Sequence, residues 1–183
     1  MNLRHASCSA IVLLALALGG TADALPQVGA PRAAARVIDA NDRTLDLGGI
    51  RNKPMLVVYE DKDSAAMNTA LKEQLALLAR GDRYRTAVAL VPVADVEGYD
   101  YWPVRGFVKS SIRGESKKIG ATIYCDWDGS FRRAMGLRRG TSNIVLFGRD
   151  ARVLFASEGP LGKTDRDRLV ALLRSQVDLT PGS

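Results

Sequence analysis

The sequence predicts an α/β fold: a central mixed sheet flanked by helices, opened by an N-terminal hairpin and carrying a helix–strand insertion before its last hairpin. Three observations predict it. Met55–Tyr59 is apolar without alternation, as expected of a strand buried on both faces, and it passes through Glu60-Asp61-Lys62-Asp63 into a helical pattern. Thr86–Val91 is a second such run, so strand, helix and strand follow one another as in a parallel pair. Asn143–Phe147 and Arg152–Ser157 flank the turn Gly148-Arg149-Asp150-Ala151, a hairpin signal.

The remaining elements follow in order. Arg36–Asp39 and Thr44–Leu47 flank Ala40-Asn41-Asp42-Arg43 and read as the first hairpin, closed by Gly48-Gly49. Asp63 or Ser64 is the expected cap of the first helix, whose stripe is Met67, Leu71, Leu75 and Leu78 and whose end is Gly81. Pro92 is expected to stop the second strand. A loop with Tyr99, Tyr101 and Trp102 leads to a helix from Pro103 to Lys118, with Val104, Val108 and Ile112 turned to the core and Phe107 beside them. Ala121–Cys125 reads as a short strand and Asp126-Trp127-Asp128-Gly129 as a turn, before a short helix over Phe131–Met135. A last helix, capped by Thr164, buries Leu169, Leu172, Leu173 and Val177.

The first residues do not read as part of the fold. Ala10–Leu18 is an apolar run of the length of a signal-peptide core, followed by Gly19-Gly20 and by Ala22-Asp23-Ala24, a small-x-small cleavage pattern. The run falls well short of the roughly 20 apolar residues that cross a bilayer. Residues 1–24 are therefore expected to be a signal peptide cleaved after Ala24, residues 25–35 a flexible tail, 36–178 one domain and 179–183 a C-terminal tail. The expected location is the periplasm, with no transmembrane segment left after cleavage. Removing 1–24 takes away His5 and Cys8, leaving Cys125 as the single cysteine and no histidine. Histidine-based acid–base chemistry, an internal disulfide and zinc sites of the Cys/His type are then excluded for the mature chain.

The formal net charge is +6, with a pI near 9.6. No aromatic-studded basic motif accompanies it, so nucleic acid is not an expected partner. Arg105, Lys109, Arg113 and Lys117 recur every four residues and drift about 40° per step, which keeps them within about 120° of one helix face. Like charges at that spacing repel mildly, which makes the face a candidate for an anionic envelope surface or protein partner. Glu60, Asp61 and Asp63 are weighed as a cation site against a solvated acidic loop. Asp126 and Asp128 lack the third ligand and terminal glutamate of a calcium loop, and read as a turn. No cofactor motif is evident.

The order of elements resembles the thioredoxin fold, and the helix–strand insertion resembles its peroxiredoxin and thiol-reductase branches. Arg43–Leu47 with Asn52–Val57, the turn at Asp126–Gly129, and Gly140-Thr141-Ser142-Asn143 carry that likeness. A closer resemblance, to the YtfJ-like family of exported bacterial proteins, rests on Ser64 with Met67-Asn68, on Gly106–Ile112 with Ser116-Lys117-Lys118, and on Ser142–Leu146. The resemblance implies a thioredoxin fold and export, and transfers no catalytic residue. Laid on the redox pattern, Ser64 and Met67 hold the places of the CxxC cysteines, and Ser142 that of the cis-proline.

The expected function is thus a non-redox binding or accessory protein of the cell envelope, with no catalytic residue assigned. The alternative is an oxidoreductase or peroxidase acting through Cys125, which otherwise reads as a buried small hydrophobe. A hydrolase using Ser64 would need a base, and Lys62 is the one nearby candidate.

Overall fold

The computed structural model describes residues 25–178; the expected signal peptide and the residues from 179 onward lie outside them. Seven strands form one sheet in the order β2-β1-β5-β4-β3-β6-β7. They are β1 Arg36–Asp39, β2 Thr44–Asp46, β3 Met55–Glu60, β4 Ala89–Asp95, β5 Tyr124–Asp126, β6 Asn143–Phe147 and β7 Val153–Glu158. The helices are α1 Thr69–Ala79, α2 Asp82–Ala87, α3 Val104–Ile119, α4 Ser130–Met135 and α5 Lys163–Asp178. The central strands β3, β4 and β5 are parallel, while β6, β7, β1 and β2 join antiparallel.

Strand alternation divides the interior into two faces. Met55, Val57, Tyr59, Val91, Val93, Val145 and Phe147 pack with α4 through Phe131 and Met135, and with Ala35 and Leu47 from the N-terminal part. Leu56, Val58, Ile144 and Leu146 point the other way, onto Leu71 of α1 and Leu169 and Leu173 of α5. On that same face Ile112 of α3 closes over Cys125, Ala40 and Trp127. A fully buried leucine or phenylalanine stabilises the fold by roughly 1.5–3 kcal/mol, and β3 contributes five consecutive buried side chains. That is why the Met55–Tyr59 run organises the sheet.

The structure corrects four expectations. Residues 25–35 are not a flexible tail: Pro31 bridges Arg152, Gly29 N–H donates to Val153 O at 2.8 Å, and Val153 N–H donates to Ala30 O at 2.9 Å. Half-buried Leu25 and Ala30 pack on the core there, so the segment shields the edge of β7. Pro92 does not end β4. Ala89 N–H donates to Pro54 O toward β3, so two-residue alternation turns Leu90 and Pro92 toward β5, whose register starts only at Val93↔Tyr124. A missing N–H is tolerated at such an edge.

Thr86 and Ala87 belong to α2, not to a strand, and Gly81 begins that helix as well as following α1. Finally, α1 starts at Thr69, and neither Asp63 nor Ser64 caps it. No helix among the described residues is long and apolar enough to cross a membrane.

Candidate functional site

In parallel α/β sheets the carboxyl ends of the strands carry the chemistry. Here the ends of β3, β4 and β5 converge with the loop 61–68 and with Thr141-Ser142 before β6. Ser64 and Ser142 are both fully buried, and Asn68 is 3 % exposed. Ser64 is held inside its own turn: its hydroxyl donates to Asp61 Oδ1 at 2.7 Å and accepts from Asp61 N–H at 2.9 Å, while Ser64 N–H donates to the same carboxylate at 2.7 Å. Burial pushes the Asp61 carboxyl up, but the Ser64 and Asp63 bonds and the charge of Arg139 outweigh it and hold it below its ordinary value. A hydroxyl closed off from solvent, whose only base is a carboxylate of lowered basicity, is not an activated nucleophile. Lys62 is exposed and stands outside this arrangement.

Ser142 belongs to a second network. Its hydroxyl donates to Glu60 Oε1 at 2.7 Å and accepts from Asn68 Nδ2 at 2.9 Å. Asn68 Nδ2 also donates to Gly159 O at 3.0 Å, and Leu161 N–H donates to Asn68 Oδ1 at 2.8 Å. Glu60 is completed by Lys72, whose ammonium lies 2.5 Å from Oε2 and 2.5 Å from Ala65 O. Met67 is 41 % exposed at the rim, and Thr141 Oγ1 contacts its sulfur at 3.8 Å. The two slot serines therefore belong to separate networks, and each is committed to structural hydrogen bonds. Sequence reasoning weighed Glu60 only within a cation site and Asn68 only as a family match, and did not single out Lys72. Asn68 lies three and seven residues before Leu71 and Leu75 on the apolar stripe, and a polar residue on a buried stripe signals a satisfied internal network.

Glu60, Asp61 and Asp63 go separate ways: Glu60 to Ser142 and Lys72, Asp61 to Ser64, and Asp63 outward. Asp126 and Asp128 serve α4, where Asp126 accepts from Phe131 N–H at 3.2 Å and Arg132 N–H at 2.9 Å, and Asp128 from Ser130 N–H at 2.9 Å. Cys125 is 2 % exposed beneath α3, and burial, against the opposing charge of Lys109, pushes its thiol up to about 11. A thiol so placed is held protonated at neutral pH, where the thiolate is the nucleophile.

The side chains of the basic stripe of α3 are largely engaged by groups of the same molecule. Arg105 lies 4.4 Å over the Trp127 ring and pairs with Asp100. Lys109 reaches both oxygens of Asp42 at 2.6 Å, and Arg113 donates to Ala40 O at 3.0 Å. Lys117 is exposed. The cations face the turn of the first hairpin, which sequence spacing on one helix has no means of revealing.

No curated protein matches the chain. Among solved structures, a hypothetical protein from Sinorhizobium meliloti 1021 is similar at a TM-score of 0.62 and 18 % identity, covering 83 % of this chain and 85 % of its own. A Chlorobium tepidum protein described as a thiol:disulfide interchange protein, DsbE, gives 0.59 at 13 % identity over 83 % and 99 % of the two chains. A secreted Mycobacterium tuberculosis disulfide oxidoreductase homologous to DsbE gives 0.55 at 15 % identity over 78 % and 96 %. At these identities the likeness establishes the thioredoxin-like fold and nothing of the activity. The sequence model described as "Bacterial protein of unknown function (YtfJ_HI0045)" matches residues 57–176, and the chain belongs to that family.

Proposed function

We propose that this protein is an exported thioredoxin-fold binding or accessory protein of the cell envelope that carries out no thiol–disulfide chemistry. One observation carries the reading: Ser64 and Ser142, which the resemblance sets in the places of the redox groups of thiol-exchanging proteins, are both buried and hydrogen-bonded within the fold. Exchange requires an attacking thiolate and a resolving thiol. Neither Ser64 nor Met67 forms a disulfide, and Cys125 lies under α3 with its thiol held protonated. Export is supported by the leader pattern of residues 1–24 and by the secreted state of the Mycobacterium tuberculosis structural neighbour. The partner is a protein or an anionic envelope surface, with nucleic acid disfavoured by the composition.

Two assays test this. Purified mature protein is expected to leave insulin unreduced in dithiothreitol and peroxide unconsumed with a thioredoxin system, and Cys125→Ser is expected to match it. Turnover above background that disappears in Cys125→Ser replaces this reading with that of an oxidoreductase or peroxidase working through Cys125. Intact mass of the periplasmic fraction tests the export: the expected chain begins at Leu25, and a chain retaining Met1 in the membrane overturns it.

A further inference from the structure

A second polar cluster lies on the opposite face of the same strand ends, and its hydrogen bonds do not balance. Asp95 and Asp126 are register partners on the parallel strands β4 and β5, and both are buried. Tyr59 of β3, stacked on Phe131 at 6.2 Å between centroids, donates its hydroxyl to Asp126 Oδ2 at 3.2 Å. Asp126 also receives Phe131 N–H and Arg132 N–H, so both its oxygens are satisfied. Asp95 receives Glu97 N–H at Oδ1, 3.1 Å away, while its buried Oδ2 accepts no hydrogen bond. The Arg139 guanidinium comes closest, with Nε 3.6 Å from that oxygen, beyond hydrogen-bond length.

The phenol is the common element. Burial, then the charges of Asp126 and Asp95, push its ionisation far above the usual range, so Tyr59 keeps its proton and has one to give. It donates to one carboxylate, and the other has only Glu97 N–H at one oxygen and the Arg139 ion pair at 3.6 Å at the other. Two adjacent buried carboxylates with one donor between them are unfavourable when both are ionised.

We propose that Tyr59, Asp95 and Asp126 hold one additional proton in common, and that its loss as pH rises hands Asp95 over to Arg139. With the proton on Asp95 Oδ2, that oxygen donates to the Tyr59 oxygen while the Tyr59 hydroxyl donates to Asp126. Every buried polar atom of the three is then paired. Reversing both bonds places the proton on Asp126 instead, so it belongs to the cluster rather than to one residue. Once it is lost, Asp95 needs a cation, and Arg139 already spans Asp95, Glu97 Oε2 at 3.6 Å and Glu97 O at 3.0 Å.

The other charged groups facing the cluster are Asp128 on the turn after β5, Arg132 of α4, which contacts Glu97 at 3.4 Å, and Asp61, which feels Arg139 from the slot side. Arg139 lies two residues before Thr141-Ser142. The device is therefore a pH-sensitive latch on the segment that leads into the serine slot.

The experiment follows the side-chain carboxyl carbons of Asp95 and Asp126 and the Arg139 Nε signal by NMR, in the isotope-labelled mature chain, from about pH 3 to about pH 9. One step well above the ordinary aspartate value of about 3.9 is expected, seen by both carboxyl carbons and by Arg139 together. Asp95→Asn supplies an amide donor in place of the proton, so the high step is expected to vanish and Asp126 to titrate lower than in the wild type. Arg139→Gln is expected to raise the step by about one unit, since an opposite charge favours the ionised form. Both carboxyls completing their titration below about pH 4.5, or a high step that Arg139 does not follow, overturns the latch. If Asp95→Asn does not fold, the wild-type and Arg139→Gln titrations decide the matter on the same criteria.

Discussion

The serine slot and the tyrosine–aspartate cluster lie on opposite faces of the same strand ends and are both buried, yet they differ in their hydrogen-bond balance. In the slot, Asn68 links Ser142, Gly159 O and Leu161 N–H, and Glu60 is shared between Ser142 and Lys72. In the cluster, a carboxylate oxygen is left without a donor. Buried groups that are fully paired rigidify a fold, whereas an unpaired one costs free energy and marks a place where something is exchanged. The buried side chains of the slot are paired with one another and with the backbone, whereas those of the cluster are not all paired.

The comparison is broken most strongly from the slot side. Asn68→Ala leaves Leu161 N–H and Gly159 O without partners, and a loss of roughly 3 kcal/mol in urea unfolding is expected from two orphaned groups. Asp95→Asn, on the cluster side, is expected to cost under about 1 kcal/mol at neutral pH or to stabilise, because an amide can supply the missing donor. Equal losses for the two variants would erase the distinction. Ser142→Ala removes one donor and one acceptor and is expected to cost roughly 1–2 kcal/mol in the same measurement.

Acidity separates the two regions by sign. In the slot, Asp61 is held below its ordinary value despite the opposing effect of burial, so its contribution is present above the unfolded value and is lost as pH falls through the folded one. In the cluster, burial raises Asp126 against the bonds from Arg132 and Phe131, so its contribution is present below the unfolded value and is lost as pH rises through the folded one. Ser64→Ala is therefore expected to flatten the acid side of the stability–pH curve, and Asp126→Asn the side above it. Denaturant midpoints across pH check both, and one shared limb for the two variants would contradict the assignment.

The smallest effect is expected at the basic stripe. Arg105→Ala removes the guanidinium from the Trp127 ring, worth roughly 0.5–1 kcal/mol at a partly exposed site, and is expected to change tryptophan fluorescence with little loss of stability.

How much of this the sequence revealed follows the range of each interaction. β3 and the β6–β7 hairpin were legible because apolar runs and turn residues are local signals, and the structure places β6 at Asn143–Phe147 as expected. The start of α1 was misplaced because Asp61, three residues upstream, takes the Ser64 hydroxyl that was expected to cap it. α2 lacks an apolar period, and its Thr86-Ala87 reads as strand. The slot positions were readable through resemblance, but their closure was not, since Asn68 meets Ser142 across 74 residues. The cluster depends on β4–β5 register, which no single stretch encodes; its only trace is Asp95, four and two places beyond Val91 and Val93 on the same alternation.

The central claim is that this thioredoxin fold has no working thiol, and the pH dependence of Cys125 alkylation by a small maleimide in the folded mature protein tests it most directly. With the thiol pushed up to about 11 and closed under α3, labelling is expected to be slow at neutral pH, to keep rising with no plateau up to about pH 9, and to become fast on unfolding in urea. Rapid labelling of the folded protein with a midpoint below the free-cysteine value of about 8.5 would contradict the account and make Cys125 a reactive thiolate.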